Sequence, residues 1–371
     1  MIIGVPKERK IKENRVGLLP GGVSELTKNG HKVIIENNAG EGSGFSNEAY
    51  IAAGGQIVST AKDVYSKSDL VVKVKEPIKQ EYELIHSNQI VFTYFHFAAD
   101  RELTEAMVKS DCIAIAYETV QRSDRKLPLL DPMSEVAGRM AAHQGAKYLE
   151  KTFGGRGVLM SGVPGTEPAT VVIIGGGVVG TNAAKIAAGF GAKVTILDID
   201  LYRLRYLDDI MPKNVTMMMS NSYNIAEAIK SADVVIGAVL IPGAKAPNLI
   251  TKSMLKTMKQ GAVIVDVAVD QGGCVETTKP TTHEDPIFII DGIVHYCVAN
   301  MPGAVPFTST VALTNATLPY AMELANKGWK RAIKENRELL LGCNIINGNI
   351  VYKSVAEAFN LPFRPVESII D

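Results

Sequence analysis

Residues 170–180 read Thr-Val-Val-Ile-Ile-Gly-Gly-Gly-Val-Val-Gly, and this stretch decides the fold. The β-branched run 171–174 shows no polar alternation, which is typical of a strand buried on both faces. Gly175, Gly177 and Gly180 follow with G-x-G-x-x-G spacing, and an alanine-rich helical pattern comes next. These glycines allow a tight turn, close approach of the backbone to a pyrophosphate and close helix–strand packing. The N-terminus of the helix then offers N–H groups to phosphate.

The second strand of this unit is predicted at residues 193–198 and ends in Asp198, eighteen residues after Gly180. A carboxylate there accepts hydrogen bonds from an adenosine ribose and would repel a 2′-phosphate, which favours NAD over NADP. Arg203 and Arg205 follow Asp198 closely in sequence, and an arginine there could bind a 2′-phosphate. The preference for NAD is therefore a hypothesis. Glycines that serve a tight βα turn alone are the simpler alternative, but strand, glycines, helix, strand and acid together favour dinucleotide binding.

Length and composition limit the classes of protein that fit. The 371 residues suffice for two domains with separate cores. Lys+Arg and Asp+Glu are both 39, so nothing in the charge balance favours nucleic acid or an anionic membrane as a partner. The four scattered cysteines indicate buried free thiols, and the histidines show no metal-ligand spacing. Without an apolar signal core or membrane span, we expect a cytoplasmic protein.

Strands and helices alternate before the glycine-rich unit, which predicts a parallel, doubly wound sheet there as well. This first domain would be Rossmann-like but lacks the glycine fingerprint. The predicted strands are 1–5, 32–36, 70–74, 90–93 and 112–116. The predicted helices are 46–53, 60–67, 78–87 and 100–110.

Long helical patterns flank the glycine-rich domain. One is predicted from Ser134 to about residue 151, long enough to bridge two domains. Another covers residues 307–341, interrupted by Pro319 and Gly328, and can return the chain to the first domain. An Asn-Gly hairpin follows at residues 345–352.

The sequence therefore predicts an α/β protein with two Rossmann-like doubly wound domains, a cleft between them and long helices that join them. The substrate domain is predicted to consist of residues 1–130 and 306–371. The NAD-binding domain is predicted to consist of residues 131–305.

Four polar side chains lie in segments that follow predicted strands. Open α/β sheets bind ligands beyond the carboxyl ends of their strands, so these residues are site candidates. Arg15, Lys75 and His96 follow strands of the first domain, and Asp270 follows a strand of the second. We expect all four to face the cleft.

A small 2-oxo acid needs such a set of groups. A guanidinium binds a carboxylate through two hydrogen bonds, and an ammonium polarises the neighbouring carbonyl. A histidine serves as general acid and base. A carboxylate near the reacting carbon stabilises an iminium or handles protons of ammonia and water, and the nicotinamide supplies the hydride.

Each candidate also has a simpler interpretation that the residues alone leave open. Arg15 could be a solvated charge in a basic loop. Lys75 could be a charge on an edge strand. His96, between two phenylalanines, could be packed in the core, and Asp270 could cap a loop.

At these residues the sequence resembles the family that L-alanine dehydrogenase shares with the nucleotide-binding subunit of proton-translocating transhydrogenase. The matching motifs extend over nearly the whole chain. They are residues 4–16, 74–77, 94–96, 131–134, 175–180, 266–273 and 300–306.

The resemblance implies reversible NAD-dependent deamination of L-alanine to pyruvate and ammonia, in a homohexamer. It implies that Arg15 and Lys75 hold pyruvate, that His96 is the acid/base and that Asp270 is essential. It also implies a set of residues that contact NAD: Ser134, Gly177, Val178, Val179, Asp198, Arg203, Ser220, Val239, Leu240, Val267, Ala268, Val269, Asp270, Val298, Ala299, Asn300 and Met301.

Three other functions compete with this interpretation. A transhydrogenase-type subunit would bind NAD(H) but pass the hydride to a partner protein; the substrate set and the lack of a membrane anchor argue against it. A saccharopine dehydrogenase would need a far larger cleft. A non-catalytic NAD-sensing module would bind NADH tightly without turnover.

Overall fold

The computed structural model describes residues 1–239 and 247–370. The chain divides into two compact units. The first comprises Met1–Met133 and Val305–Asp371, and the second comprises Ser134–Ala304. Each unit contains its own sheet.

The strands of the described residues are, in chain order, β1 Ile2–Val5, β2 Lys32–Glu36, β3 Gln56–Val58, β4 Leu70–Val72, β5 Ile90–Thr93, β6 Ile113–Ala116, β7 Thr170–Ile174, β8 Lys193–Asp198, β9 Val215–Met219, β10 Val234–Gly237, β11 Val263–Asp266, β12 Ile287–Ile290, β13 Ile293–Tyr296, β14 Cys343–Ile346 and β15 Asn349–Ile350.

The α-helices are α1 Pro20–Lys28, α2 Asn47–Ala52, α3 Ala61–Lys67, α4 Lys79–Tyr82, α5 Arg101–Lys109, α6 Asp131–Tyr148, α7 Val178–Gly189, α8 Leu201–Ile210, α9 Ser222–Lys230, α10 Lys252–Leu255, α11 Pro306–Lys327, α12 Trp329–Glu335, α13 Arg337–Gly342, α14 Lys353–Phe359 and α15 Glu367–Ile370. None of the helices described is both long and apolar enough to cross a lipid bilayer.

The sheet of the first unit has the order β15-β14-β6-β5-β4-β1-β2-β3. Strands β1 to β6 are parallel, and their order 3-2-1-4-5-6 is that of a doubly wound Rossmann sheet. The late strand β14 pairs antiparallel with β6, and the β14–β15 hairpin turns at Asn347 and Gly348, both with positive φ. This turn geometry is the one that Asn-Gly favours.

The sheet of the second unit has the order β12-β13-β11-β10-β7-β8-β9. Strands β7 to β11 and β13 are parallel, while β12 pairs antiparallel with β13 at the edge. The order again reverses beside the first strand, here β7, and ligands bind at such a switch point. The predicted class, α/β with two Rossmann-like doubly wound domains, is confirmed.

Local sequence signals set several helix starts. The side chains of Ser46, Thr60 and Asp100 accept hydrogen bonds from the N–H groups three residues ahead, at the starts of α2, α3 and α5. Such caps satisfy donors that have no partner within the helix. Pro20 occupies the first turn of α1, where a missing N–H costs nothing.

Some predicted boundaries were wrong. Helix α6 begins at Asp131 rather than Ser134, because Pro132 fits a first turn. Pro319 does not interrupt α11, which continues through it to Lys327. Tertiary packing of a long helix tolerates the loss of one hydrogen bond there.

Other differences lie in short elements. The helix predicted at 78–87 covers only α4, and the three-residue strand β3 was not predicted. Strand β4 ends at Val72 rather than Val74, whose N–H donates to the Glu8 carboxylate. Short elements carry too few residues for a clear hydrophobic period.

His295 is a buried titratable group within β13 of the second unit. Its Nδ1 lies 3.0 Å from the Ile293 carbonyl and therefore donates, so the neutral ring accepts from the Thr277 hydroxyl at Nε2, 2.8 Å away. Burial lowers the pKa of His295. The neutral ring is thus the form that this site stabilises.

We expect the stability of the second unit to fall as the pH drops below about 6.5, the ordinary pKa of histidine. In that range the unfolded chain binds a proton at His295 that the folded chain does not, so protonation favours unfolding. Urea unfolding at pH 7.5 and 5.5, with amide exchange of β13 as the local probe, measures this loss. His295→Gln should reduce it, whereas His86→Gln, at an exposed site, should not. An identical pH dependence in all three proteins would contradict the prediction.

Candidate active site

The turn between β7 and α7 contains the three fingerprint glycines of the second unit. Gly175 has φ +102°, and a Cβ at Gly180 would lie 1.8 Å from the Gly175 carbonyl oxygen, so the turn itself requires both. Gly177 differs, because its φ is −65° and a Cβ there would meet no described atom within 4 Å. Neither conformation nor packing within the described chain requires glycine at this position. A ligand lying against the backbone would, and pyrophosphate takes this place in dinucleotide folds.

The N-terminus of α7 completes this cradle. Its N-cap is Gly177, and no described side chain caps the first turn. The first N–H groups of a helix have no partner within the helix and carry the positive end of its dipole. The twelve-residue helix therefore presents donors to an anion.

Asp198, at the carboxyl end of β8, contacts the same turn. Its two carboxylate oxygens accept the N–H groups of Gly176 at 2.6 Å and of Asp200 at 2.8 Å. The Arg203 guanidinium donates to the Gly176 carbonyl at 2.6 Å and to the Thr181 hydroxyl at 2.7 Å. The predicted ribose-binding acid and Arg203 are thus both anchored on the glycine-rich turn.

Most other predicted cofactor residues lie just beyond strand ends of the second unit. Gly175 adjoins Val239, which follows β10, and Ser220 donates its N–H to the Asp198 carbonyl. Ser134 lies on α6 instead, near Gly138, whose Cα approaches the Val179 carbonyl of α7. Leu240 lies outside the described residues. Residues 178, 179, 267–270 and 298–301 occupy the start of α7 and the turns after β11 and β13.

Asp266, at the end of β11, is a buried acid that the sequence analysis did not identify. It accepts the N–H groups of Ala268 at 3.1 Å, Cys274 at 3.0 Å and Val275 at 3.3 Å, and the Thr278 hydroxyl at 2.8 Å. Burial raises its pKa, while these hydrogen bonds oppose that shift. An acid that ends an apolar strand just before a turn is the signal that could have identified it.

Asp270 lies in the 3-10 turn Val267–Gln271 that begins at this acid. Its side chain is exposed, and one carboxylate oxygen accepts the Asn300 N–H at 3.4 Å. The two predicted segments 267–270 and 298–301 therefore meet at Asp270. The long bond to Asn300 is a weak cap, and the carboxylate stays accessible.

Arg15 of the first unit is not a solvated charge, because its side chain is only 2% exposed. Glu13 accepts its Nε–H at 2.6 Å and its Nη2–H at 2.5 Å, and Nη1 lies 3.1 Å from the Met133 sulfur. Burial disfavours the charge, but the Glu13 carboxylate outweighs burial and raises the pKa of Arg15. The guanidinium is therefore charged and rigidly oriented.

Lys75 follows β4, which lies between β1 and β5, so the edge-strand interpretation is wrong. Its backbone N–H and that of Val74 donate to one oxygen of Glu8, at 3.3 and 2.7 Å. Lys73 is fully buried, 3.5 Å from the other Glu8 oxygen and 2.9 Å from Glu81. Burial raises the pKa of Glu8, opposed by Lys73. The Glu8–Lys73 ion pair therefore fixes the backbone that carries the half-buried Lys75.

His96 is exposed, so the packed-core interpretation is also wrong. Its ring stacks on Tyr94, with centroids 5.9 Å apart and planes 7° apart. Tyr94 is buried and donates its hydroxyl to the Leu129 carbonyl. The imidazole thus lies on a fixed aromatic surface at the end of β5 and faces solvent.

The three candidate residues of the first unit all lie beyond the carboxyl ends of its parallel strands. Arg15, Lys75 and His96 follow β1, β4 and β5, which are neighbours. The Thr93 hydroxyl donates to the Lys75 carbonyl at 3.0 Å and so links the ends of β4 and β5. In the part of the chain that the structure describes, no cluster of three or more His, Cys, Asp or Glu could hold a metal ion.

Two family models match the chain. "Alanine dehydrogenase/PNT, N-terminal domain" covers residues 4–137, and the corresponding C-terminal domain covers residues 141–353. The chain belongs to the alanine dehydrogenase/PNT family. The resemblance seen in the sequence motifs is thereby confirmed.

Relatives within this family match over their full length. "Alanine dehydrogenase" of Methanococcus maripaludis is 57% identical over 372 residues, with 100% of both chains covered. A solved structure titled "L-alanine dehydrogenase" has 52% identity and a TM-score of 0.94, covering 97% of this chain and 99% of its own. A transhydrogenase structure from Sinorhizobium meliloti has a TM-score of 0.81 but 24% identity, covers 95% and 99%, and shows a shared fold only.

Family membership and the Rossmann-type domain imply a nicotinamide cofactor. The residues present fit this group: Gly177 leaves room against the backbone, α7 offers N–H groups, and Asp198 ends the next strand. When bound, the nicotinamide supplies hydride transfer, which no protein side chain performs.

Replacing Asp266 by alanine should loosen the turn that carries Asp270. Three backbone N–H groups would lose their acceptor in a buried site, which costs about 1–3 kcal/mol for each group left unsatisfied. We expect the amides of Ala268 and Cys274 to exchange at least about tenfold faster, measured by hydrogen exchange. Asp285→Ala, at an exposed acid of the same unit, is the control. Unchanged exchange in Asp266→Ala would show that the carboxylate does not hold this turn.

Proposed function

We propose that this protein is an NAD-dependent L-alanine dehydrogenase that reversibly converts L-alanine to pyruvate and ammonia. The observation that carries the proposal is the identity of 57% to an alanine dehydrogenase over the whole chain, together with Arg15, Lys75 and His96 at one sheet edge. The glycine-rich turn and the N-terminus of α7 in the second unit suit the binding of the dinucleotide cofactor, which the reaction also requires.

We propose a role for each domain. Residues 1–130 and 306–371 form the substrate domain, and residues 131–305 form the NAD-binding domain. The position of the fingerprint glycines beside β7 supports the second assignment, and the cluster of basic residues after β1, β4 and β5 supports the first.

In the substrate domain, Arg15 and Lys75 hold pyruvate or the alanine carboxylate. Arg15 supplies a permanent positive charge that Glu13 keeps in one orientation. The Lys75 ammonium polarises the 2-oxo group, which makes the carbon more electrophilic towards ammonia. Because the backbone at Lys75 is fixed by Glu8, binding does not require a prior rearrangement there.

Proton transfer is assigned to His96 and Asp270. Attack of ammonia on pyruvate and loss of water require a proton donor and acceptor near the 2-carbon, and the exposed imidazole of His96 can both donate and accept a proton. The Asp270 carboxylate stabilises the cationic iminium that forms when water leaves. In the direction of deamination, the same groups act in reverse.

NAD, rather than NADP, is the proposed cofactor. The Asp198 carboxylate is oriented by Gly176 and Asp200, and a negative charge at this place repels a 2′-phosphate. Arg203 is bonded to the glycine-rich turn, and the Arg205 guanidinium lies 5.4 Å from the centroid of the Tyr202 ring. The remaining predicted contacts, including Leu240, stay part of this proposal.

A cytoplasmic homohexamer completes the proposal. The four cysteines are buried and unpaired, which suits a reducing compartment. Hexamers are the usual assembly implied by the family resemblance. Light scattering would test this, since a hexamer has six times the chain mass of 39.9 kDa.

The main alternative is a subunit or sensing module that binds NAD(H) without acting on a 2-oxo acid. The likeness to a transhydrogenase structure, at 24% identity, extends to the fold alone. The identity of 52% to an L-alanine dehydrogenase structure favours the enzyme.

The first test is oxidation of NADH in the presence of pyruvate. We expect rapid oxidation that requires ammonium and that falls at least tenfold in kcat/KM when NADPH replaces NADH, because Asp198 repels the additional phosphate. Loss of NADH absorbance measures both. Oxidation without ammonium would indicate a hydroxyacid dehydrogenase, and NADH binding without oxidation would favour the sensing module.

A second test removes the proposed proton-transfer groups. His96→Ala and Asp270→Asn should each lower kcat by about 100-fold or more, the usual contribution of general acid–base catalysis. NADH affinity, measured by fluorescence, should change little for His96→Ala. His86→Ala and Asp285→Asn change exposed residues of the same types and serve as controls. Near-normal turnover in either site variant would refute the role of that residue.

A further inference from the structure

His96 has an unusual backbone conformation for a residue at the end of a strand. Its φ and ψ are 52° and 39°, in the left-handed region. For a residue with a Cβ this conformation costs about 1–2 kcal/mol, so neighbouring structure must stabilise it. Phe95 and Phe97 are both buried and their rings stack 4.4 Å apart, whereas the side chain between them is exposed. The left-handed residue is what turns the imidazole out of this aromatic pair.

Glu118 supplies the stabilising contact. One of its carboxylate oxygens accepts the His96 N–H at 2.6 Å and the Phe95 N–H at 3.2 Å, and the other lies 3.3 Å from the Phe95 nitrogen. Two successive backbone N–H groups that converge on one anion form a nest, and hydrogen bonds to a carboxylate are about twice as strong as neutral ones. The half-buried Glu118 therefore binds the backbone in its strained form.

The fold places Glu118 for this contact. It belongs to the 3-10 turn Tyr117–Thr119, directly after β6, and β6 pairs in parallel with β5. The register aligns Ala116 with Thr93, so the turn after β6 lies beside residues 94–96. Sheet pairing thus places the Glu118 carboxylate within hydrogen-bond distance of the Phe95 and His96 N–H groups.

We propose that Glu118 is a positioning residue that holds the His96 imidazole in its reactive orientation by binding the Phe95 and His96 N–H groups. This inference rests on the proposed function, in which His96 exchanges protons with the substrate. Water could accept the N–H of His96, which lies at an exposed position, so hydrogen-bond satisfaction alone does not require a carboxylate at this residue. A fixed backbone angle at His96 does require the carboxylate. If the backbone left the left-handed conformation, the His96 ring would move away from Tyr94.

The decisive comparison is between Glu118→Ala and Glu118→Gln. Alanine removes the acceptor, so we expect kcat to fall about tenfold or more, while the affinity for NADH stays unchanged. Glutamine keeps one oxygen, and a single oxygen already accepts both N–H groups, so it should restore most of kcat. Glu323→Ala, at a half-buried glutamate on α11, is the matched control and should leave kcat unchanged.

The double variant Glu118→Ala/His96→Ala shows whether Glu118 acts through His96. If it does, the second substitution adds no further loss of kcat to that of His96→Ala, because the residues act as one unit. Amide exchange of residues 94–97 gives a readout that does not depend on activity. It should be at least about tenfold faster in Glu118→Ala than in the wild type or Glu118→Gln.

The outcomes separate this inference from the proposed function. An active wild type with normal kcat and exchange in Glu118→Ala would overturn the positioning role, as would equal losses from Glu118→Ala with and without His96. A wild type that never oxidises NADH with pyruvate and ammonium would refute the proposed function and, with it, a positioning role in that reaction. In that case the exchange rates would still show whether Glu118 holds the turn.

Discussion

Turns that follow parallel strands carry backbone N–H groups outside the sheet's own hydrogen bonds, and in several turns of this protein a carboxylate accepts these groups. Glu8, Glu118, Asp198 and Asp266 each accept two or more N–H groups from turns beyond strand ends. Because these bonds are made to backbone N–H groups, they hold each turn by its main chain, although Asp266 also accepts the Thr278 hydroxyl. The side chains of Lys75, His96 and the 267–270 turn are left to face ligands. The geometry at the carboxyl ends of the strands in both sheets depends on this arrangement.

The buried charges of the first unit follow from the same constraint. Lys73 and Arg15 are buried as cations, and such burial is tolerable only when carboxylates compensate for the lost solvation. Glu8, Glu13 and Glu81 provide that compensation at distances of 2.5 to 3.5 Å. The result is a rigid polar layer beneath the sheet edge, with oriented donors instead of mobile surface charges. Charged groups held in fixed positions favour ligands whose own polar groups lie where those charges point.

The two sheets could be predicted from the sequence because their signals are local. Buried parallel strands are continuous apolar runs, and the fingerprint glycines of the β7–α7 turn all lie within residues 175–180. The strand ends then identified Arg15, Lys75, His96 and Asp270 as candidates. The supporting acids could not be predicted in the same way, since Glu8 reaches residues 66 positions away and Glu118 reaches back 22. Such contacts depend on strand order and register, for which a single sequence contains no periodic signal.

The order of elements along the chain has a consequence for folding during synthesis. Strand β6 pairs with β14, but residues 117–342 lie between them, so β6 remains the open edge of its sheet while the whole second unit is made. At roughly 5–20 residues per second, this interval lasts about 10 to 45 seconds. The second unit is continuous in sequence and can fold on the ribosome during that time. The nascent first unit meanwhile exposes an apolar edge strand of the kind that pairs with other chains, and it closes only when the C-terminal segment emerges.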